Sequence, residues 1–347
     1  MIKRLICSIL VLATFMSMLA VNVSAAEYYY EDFSNVTTST SAGAKVYCRI
    51  PNLTNTTTPC ADYRVDNGAL LFKKASYSDT VYPEIILNYD PKPEKSTELF
   101  FEMDFMLNTN HPMESNGDLI MYIYAQKKRF SVQISPWGLV GSYSDKTGRD
   151  LLTKNVWYSA LMHMKLSEGT VDVYQKLKTD DAYTYLLTRS LNNQTSANYY
   201  MMLYGNAAKK TDMLVDNVKV YDGVNVKNPY FTMDGTKITS IDDVGNGTLS
   251  VNAEVLYGEM ATATVGSVKK TTNKAVTPVM TVFDKDGKMV ECVIPTSFGL
   301  KPGTNNLKID YNTSGYYDKI TDGSIGFYFW KDITTVRPLT DAIELKK

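Results

Sequence analysis

The sequence predicts an all-β chain made of two β-sandwiches in series, and three observations carry that prediction. Apolar residues recur with a period close to two almost everywhere after residue 25, and no sustained amphipathic helix appears. Short apolar runs are punctuated by turn-forming clusters such as Asp66-Asn67-Gly68, Ser115-Asn116-Gly117 and Ser167-Glu168-Gly169. The pattern loosens between Asp222-Gly223 and Asp234-Gly235, with Asn228-Pro229 as a break, so residues 223–235 are expected as a linker. A chain of 347 residues fits two domains at roughly 100–200 residues each.

The first element is a secretory signal over residues 1–25. Lys3 and Arg4 form its basic region, Leu5 to Val21 its apolar run, and Val23 and Ala25 the −3 and −1 positions of a small-residue cleavage site. The competing reading is an uncleaved anchor, because the apolar run approaches the ~18 residues that span a bilayer. No later stretch is apolar enough to span. The mature chain is therefore expected to be extracellular and not membrane-spanning.

The strands of the first module are expected at 69–73, 97–107, 119–126, 130–135, 156–166, 170–177, 183–188, 199–204 and 213–221. Those of the second module, 236–347, fall at 238–241, 249–257, 276–283, 289–295, 307–311 and 325–330. Alternation sorts side chains by face. In 119–126, Leu119, Met121, Ile123 and Ala125 face inward, whereas Ile120, Tyr122, Tyr124 and Gln126 face outward. In the next strand the outward set is Arg129, Ser131, Gln133 and Ser135. In 157–166, Tyr158, Ala160, Met162, Met164 and Leu166 share the apolar face, opposite Trp157, Ser159, Leu161, His163 and Lys165.

Composition narrows the function. Hydrophobic residues at 44% and charged residues at 21% belong to an ordered chain. The net charge of −1 becomes −3 without Lys3 and Arg4, which excludes a basic nucleic-acid footprint. Beyond the signal, Cys48 and Cys60 bracket a short loop and are expected to pair as a disulfide, leaving Cys292 as a small buried hydrophobe. With 2 His and no CxxC there is no zinc pattern.

Several segments together carry a resemblance. Glu31-Asp32-Phe33-Ser34, Val65-Asp66-Asn67-Gly68-Ala69-Leu70, Phe130-Ser131-Val132-Gln133-Ile134, Asn155-Val156-Trp157-Tyr158 and Val215-Asp216-Asn217-Val218-Lys219-Val220-Tyr221 follow one another in order. Residues 27–222 thereby resemble the concanavalin A-like, laminin-G-like jelly rolls of secreted carbohydrate-active proteins. Val282-Phe283-Asp284-Lys285-Asp286-Gly287 and the run from Ile325 through Trp330 to Pro338 make residues 236–347 similar to the immunoglobulin-like modules appended to exported proteins of Gram-positive anaerobes. The resemblance implies a bacterial, secreted protein in which the second module is an accessory. Such folds host many functions, so activity has to be argued from sites.

Glu102-Met103-Asp104 matches two places of an E-x-D-x-x-E strand motif used by a related family of retaining glycosidases. Leu107 stands where the third carboxylate belongs, and such hydrolysis needs a pair of carboxyls. Glu102 and Asp104 are thus expected as solvent-facing strand acids, and His163 and His111 as surface histidines. Asp284-Lys285-Asp286-Gly287 is read as a hairpin turn rather than a calcium loop. Asp216 shares its alternation with Leu214, Val218 and Val220, so it is expected among core residues, where a carboxylate must be hydrogen-bonded or metal-bound. The resembling fold implies that Asp32 and Asp216 could share a structural calcium; a hydrogen-bonded acid is the first reading and calcium the second.

The excess of 25 Tyr over 12 Phe is the remaining signal. Tyr122, Tyr124 and Tyr174 fall on polar faces, and Trp137 follows a strand in Ser135-Pro136-Trp137-Gly138. Aromatic faces suit sugar C–H groups, while Arg129 and Gln133 can bond hydroxyls. Against this stands the plain preference of Tyr for half-exposed strands. The expectation is a non-catalytic protein binding a polysaccharide or cell-surface glycan through Tyr122, Tyr124, Arg129, Gln133 and Trp137. The alternatives are an adhesive surface protein that binds another protein, and a polysaccharide-degrading enzyme of unfamiliar chemistry.

Overall fold

A computed structural model describes residues 26–33, 37–41, 45–49, 63–66, 68–73, 84–109, 119–141, 145, 149–205, 212–315, 317, 320, 323–330, 339–340 and 342–346. The fold is all-β, and the chain divides into two compact units. One comprises Glu27–Asp222 together with Thr262–Thr271; the other holds Gly223–Ala261 and Thr272–Lys347. Among the described residues no helix is long and apolar enough to cross a membrane.

The first unit is a jelly-roll sandwich of two antiparallel sheets. Its larger sheet runs in the order Thr262–Val265, Val268–Thr271, Thr184–Ser190, Thr170–Leu177, Trp157–Lys165, Glu98–Leu107, Asp212–Tyr221, Ala69–Lys73 and Tyr63–Asp66, and Glu27–Glu31 also pairs with Asp212–Tyr221. The smaller sheet runs Gly138–Val140, Lys128–Ser135, Leu119–Ala125, Tyr200–Gly205 and Glu84–Asn88. Period-two alternation builds the core between them. Leu99, Phe101, Met103 and Phe105 on one sheet and Met121, Ile123, Val132, Ile134, Met201 and Leu203 on the other are buried. Tyr89, just past the Glu84–Asn88 strand, places its ring 5.9 Å from Phe101.

The second unit is a smaller antiparallel sandwich. Thr236–Ile238, Gly223–Met233, Thr248–Gly258 and Gly303–Asn312 form one sheet, and Met289–Val293, Lys274–Phe283, Ser324–Trp330 and Ile343–Leu345 another. Val224, Phe231, Leu249, Val251, Met280, Val282, Phe327 and Phe329 meet in one core. The turn at Asp284 is a hairpin: its carboxylate accepts the backbone N–H groups of Asp286 and Lys288 at 3.0 and 2.9 Å. Cys292 is half-buried beside Val279 and Trp330 rather than enclosed.

Three expectations are corrected by this architecture. Residues 223–235 are not a linker, because Gly223–Met233 is a strand paired on both sides. The Asn228-Pro229 break is a bulge inside it: register shifts between Lys227 and Tyr230 and Asn228 takes φ 46, so Pro229 withdraws no donor from a regular ladder. The hairpin Thr262–Thr271 leaves the second half of the sequence and adds to the first unit's sheet, with Thr184 opposite Lys270. Tyr183 and Thr271 seal that seam: Thr271 N–H donates to Tyr183 O and Tyr183 N–H to Thr271 Oγ1, both at 2.8 Å. The third correction concerns Asp216. A bulge between Asp216 and Lys219, with Asn217 at φ 50, resets the alternation, so Asp216 pairs with Asp104 on the face opposite Val218 and Val220.

Candidate functional site

The outward face of the smaller sheet assembles the sequence-predicted residues in rows fixed by strand register. Asn88, Tyr200, Tyr124 and Arg129 stand across one row, and Ile86, Met202, Tyr122 and Ser131 across the next. Gln133 lies opposite Ile120 in a third. Tyr122, Arg129, Ser131, Gln133, Tyr200 and Met202 are all half-buried, the exposure expected of a face that is shaped but open. The Arg129 guanidinium sits 5.6 Å from the centre of the Tyr122 ring.

Tyr124 departs from expectation. It faces outward, yet is only 9% exposed, because the Tyr200 ring approaches to 4.5 Å between centroids at 35°. Tyr122 is therefore the accessible ring of the pair and Tyr124 its packed support. Trp137 is half-buried in the two-residue turn that joins Ser135 to Gly138; its backbone N–H donates to Ser135 Oγ at 3.2 Å, and Gly138 takes φ 86. From Arg129 to Ser135 the strand rises about 20 Å. A ligand touching both Arg129 and Trp137 is thus an extended chain rather than a single sugar. Tyr200 and Met202 were absent from the expected set, although alternation across 199–204 places them beside Tyr122 and Tyr124. Tyr174 is excluded from any platform, being enclosed with its ring edge-on to Tyr185 at 5.6 Å.

The larger sheet carries a second polar constellation on its outward face, and here the expectation of solvent-facing acids fails. Glu102 and Asp104 are 9% and 7% exposed. Tyr183 Oη donates to Glu102 at 3.0 Å, and burial together with the Glu102 carboxylate pushes the Tyr183 hydroxyl well above its ordinary pKa. Asp104 receives Ser159 Oγ at 2.6 Å, Lys178 Nζ at 2.7 Å and Asn217 Nδ2 at 3.0 Å. With donors on both oxygens, the Asp104 side chain is held in place. Asp216, directly opposite, accepts the Asn217 backbone N–H at 2.7 Å. Desolvation lifts Asp216 above the usual carboxylate range, with Asn217 and Lys178 pulling it down and Asp104 and Asp32 pushing it up.

His163 is likewise enclosed rather than on the surface, at 4% exposure. It stacks on Phe100 at 4.5 Å and its Nε2 lies 2.7 Å from Glu98. Burial depresses its pKa against the opposing pull of Glu98.

Asp216 is hydrogen-bonded, in keeping with the first of the two readings of the Asp32 and Asp216 pair. Both Asp216 oxygens accept donors from Asn217, and calcium would call for six to eight oxygens, more than these two carboxylates supply. Among the described residues no group of three or more His, Cys, Asp or Glu is placed to hold a metal. Cys60 lies outside the described residues, as does the side chain of Cys48, and so does His111.

No protein-family model matches the chain, and no curated protein matches it at a significant level. Solved structures similar to it include a GH131 β-glucanase catalytic domain from Podospora anserina, 12% identical at a TM-score of 0.39 over 57% of this chain and 96% of that one. The exoplasmic/lumenal domain of VIP36 in its Ca2+/Man-bound form is 8% identical at 0.32, over 48% and 84%. Lectin I-B4 from Griffonia simplicifolia in its metal-free form is 12% identical at 0.30, over 46% and 89%. At these scores neither residues nor activity carry across to this chain.

Proposed function

We propose that this chain is a secreted, non-catalytic polysaccharide-binding protein whose first unit holds an extended glycan on the outward face of its smaller sheet. The observation that carries the reading is the row-by-row arrangement of Tyr122, Arg129 and Gln133 on neighbouring half-buried positions, with the Tyr124–Tyr200 pair packed beside them. A flat ring flanked by a guanidinium and an amide suits a sugar ring, which offers C–H groups on its faces and hydroxyls at its edge. The hydrolytic alternative is weakened by the other sheet. Its acids are buried, and Asp104 is already engaged by three donors of the protein's own rather than turned toward a ligand.

The second unit is proposed as an immunoglobulin-like accessory to the binding unit. Export of a chain processed after Ala25 predicts that secreted material begins at Ala26 or Glu27 on amino-terminal sequencing. The binding reading is tested on a glycan array with the mature chain and with Tyr122→Ala and Trp137→Ala. Binding of a polysaccharide that both substitutions weaken tenfold or more supports it. Retention of full binding by both variants, or turnover of the bound glycan, defeats it.

A further inference from the structure

Resting on the carbohydrate-binding reading, we infer that the glycan is acidic and that Arg129 takes its anionic group. The Arg129 side chain stacks on Tyr122, and its Nε is buried with no hydrogen-bond partner. A buried guanidinium N–H without an acceptor is costly, and the guanidinium fork pairs with carboxylates through two parallel, charge-assisted hydrogen bonds. None stands in the two rows concerned: the residues across from Arg129 are Tyr124, Tyr200 and Asn88, and those around Tyr122 are Ser131, Met202 and Ile86. Glu84 is placed in this sheet by register alone. It belongs to the Gln133 row, three strands from Gln133 and so about 14 Å away, and further from Arg129.

On its other edge Arg129 pairs with Asn192, a neutral amide, and Lys128, one residue before it, donates to the neutral Asn193 Oδ1 at 2.7 Å. Among the described residues, the two rows around Arg129 therefore present a forked donor with an aromatic support and no carboxylate. A carboxylate or sulfate group at the edge of a sugar ring would accept from the two terminal nitrogens of Arg129 together while the ring lies against Tyr122. A neutral sugar hydroxyl would satisfy one donor and leave the charge unbalanced.

The test uses the mature full-length chain in affinity electrophoresis and titration calorimetry. The probes are polygalacturonate, alginate and dextran sulfate, set against methyl-esterified pectin and laminarin. We expect binding to at least one acidic polymer, at least tenfold weaker binding to the ester or the neutral glucan, and weakening with added salt. Arg129→Gln should lose about ten- to a hundredfold in affinity for the acidic polymer with an unchanged melting temperature, while Arg129→Lys recovers only part of it. Preference between the uronates and dextran sulfate identifies carboxylate or sulfate as the group bound. Equal binding of acidic and neutral polymers, or full affinity in Arg129→Gln, overturns the acidic ligand and leaves the carbohydrate reading standing. Binding to none of the polymers overturns both.

Discussion

Replacing Asp104 with alanine separates a structural role for the enclosed acids from a catalytic one. The substitution removes the acceptor of Ser159, which is buried, at 2.6 Å, and of Lys178 at 2.7 Å, whereas Asn217 keeps its second bond to Asp216 at 2.9 Å. Lys178 is 44% exposed and turns to water at little cost, so the loss concentrates on Ser159. A hydrogen bond to a charged group together with an orphaned buried hydroxyl amounts to about 3–4 kcal/mol. Relief of the repulsion with Asp216, whose pKa Asp104 raises, returns part of that. The net expectation is about 2–3 kcal/mol, or a fall of about 5–10 °C in the melting temperature of a unit this size. Asp104→Asn, which keeps one acceptor oxygen, should fall about half as far. Differential scanning calorimetry resolves the transition of the first unit from that of the second, and glycan binding is measured on the same samples below the transition. A melting temperature within 1 °C of the parent would refute the account of Asp104 as an anchor for its three donors. Loss of a glycan-cleaving activity at unchanged stability would refute the non-catalytic reading as well.

Thr271→Val keeps the shape of a buried side chain but removes the acceptor of the Tyr183 N–H at 2.8 Å; unfolding midpoints in urea should report about 1–2 kcal/mol of destabilisation, all of it in the first unit. His163 has a folded-state pKa below its ordinary value, so the unfolded chain binds the extra proton first. Its contribution to stability is complete above about pH 6.5 and is lost as pH falls through the window beneath, at up to about 1.4 kcal/mol per pH unit. Stability measured from pH 7.5 to 5.5 should therefore slope more steeply in the parent than in His163→Gln, and parallel slopes would exclude the histidine as the cause.

Local patterning was enough to place the strand Leu119–Ala125 and its faces, because alternation and the turn that follows are encoded within ten residues. Leu119, Met121, Ile123 and Ala125 are enclosed and Ile120 and Tyr122 are not. The same rule put Glu102, Asp104 and His163 on the correct side of their strands but misjudged their exposure. Alternation tells which face a side chain joins and says nothing of whether that face is covered. The groups that enclose these residues are far away in sequence: Ser159 is 55 positions from Asp104, Asn217 is 113, and Tyr183 is 81 from Glu102. Asp216 was lost for a different reason. A bulge adds one residue to a strand and inverts every parity argument beyond it, and Asn217 is a small polar residue with no composition signal strong enough to announce that. The candidate site was legible to the extent that it lies on two strands joined by a tight hairpin. Tyr200, arriving from 76 residues beyond Tyr124, was not.

The seam between Thr184–Ser190 and Val268–Thr271 has a consequence for the order of events in synthesis. Domains generally fold as units from the amino terminus while the chain is still being made. Here the first unit has all of its core strands by Asp222, but its sheet ends at Thr184–Ser190 until residue 271 has emerged, by which time the first strands of the second sandwich are already out. Between those two moments the Tyr183–Ser190 border presents unpaired backbone groups, the kind of edge to which another nascent copy can add. The hairpin Thr262–Thr271 then meets the start of that border at Tyr183 and Thr184, so the sheet of the earlier half of the protein is extended by a segment that comes later in the sequence.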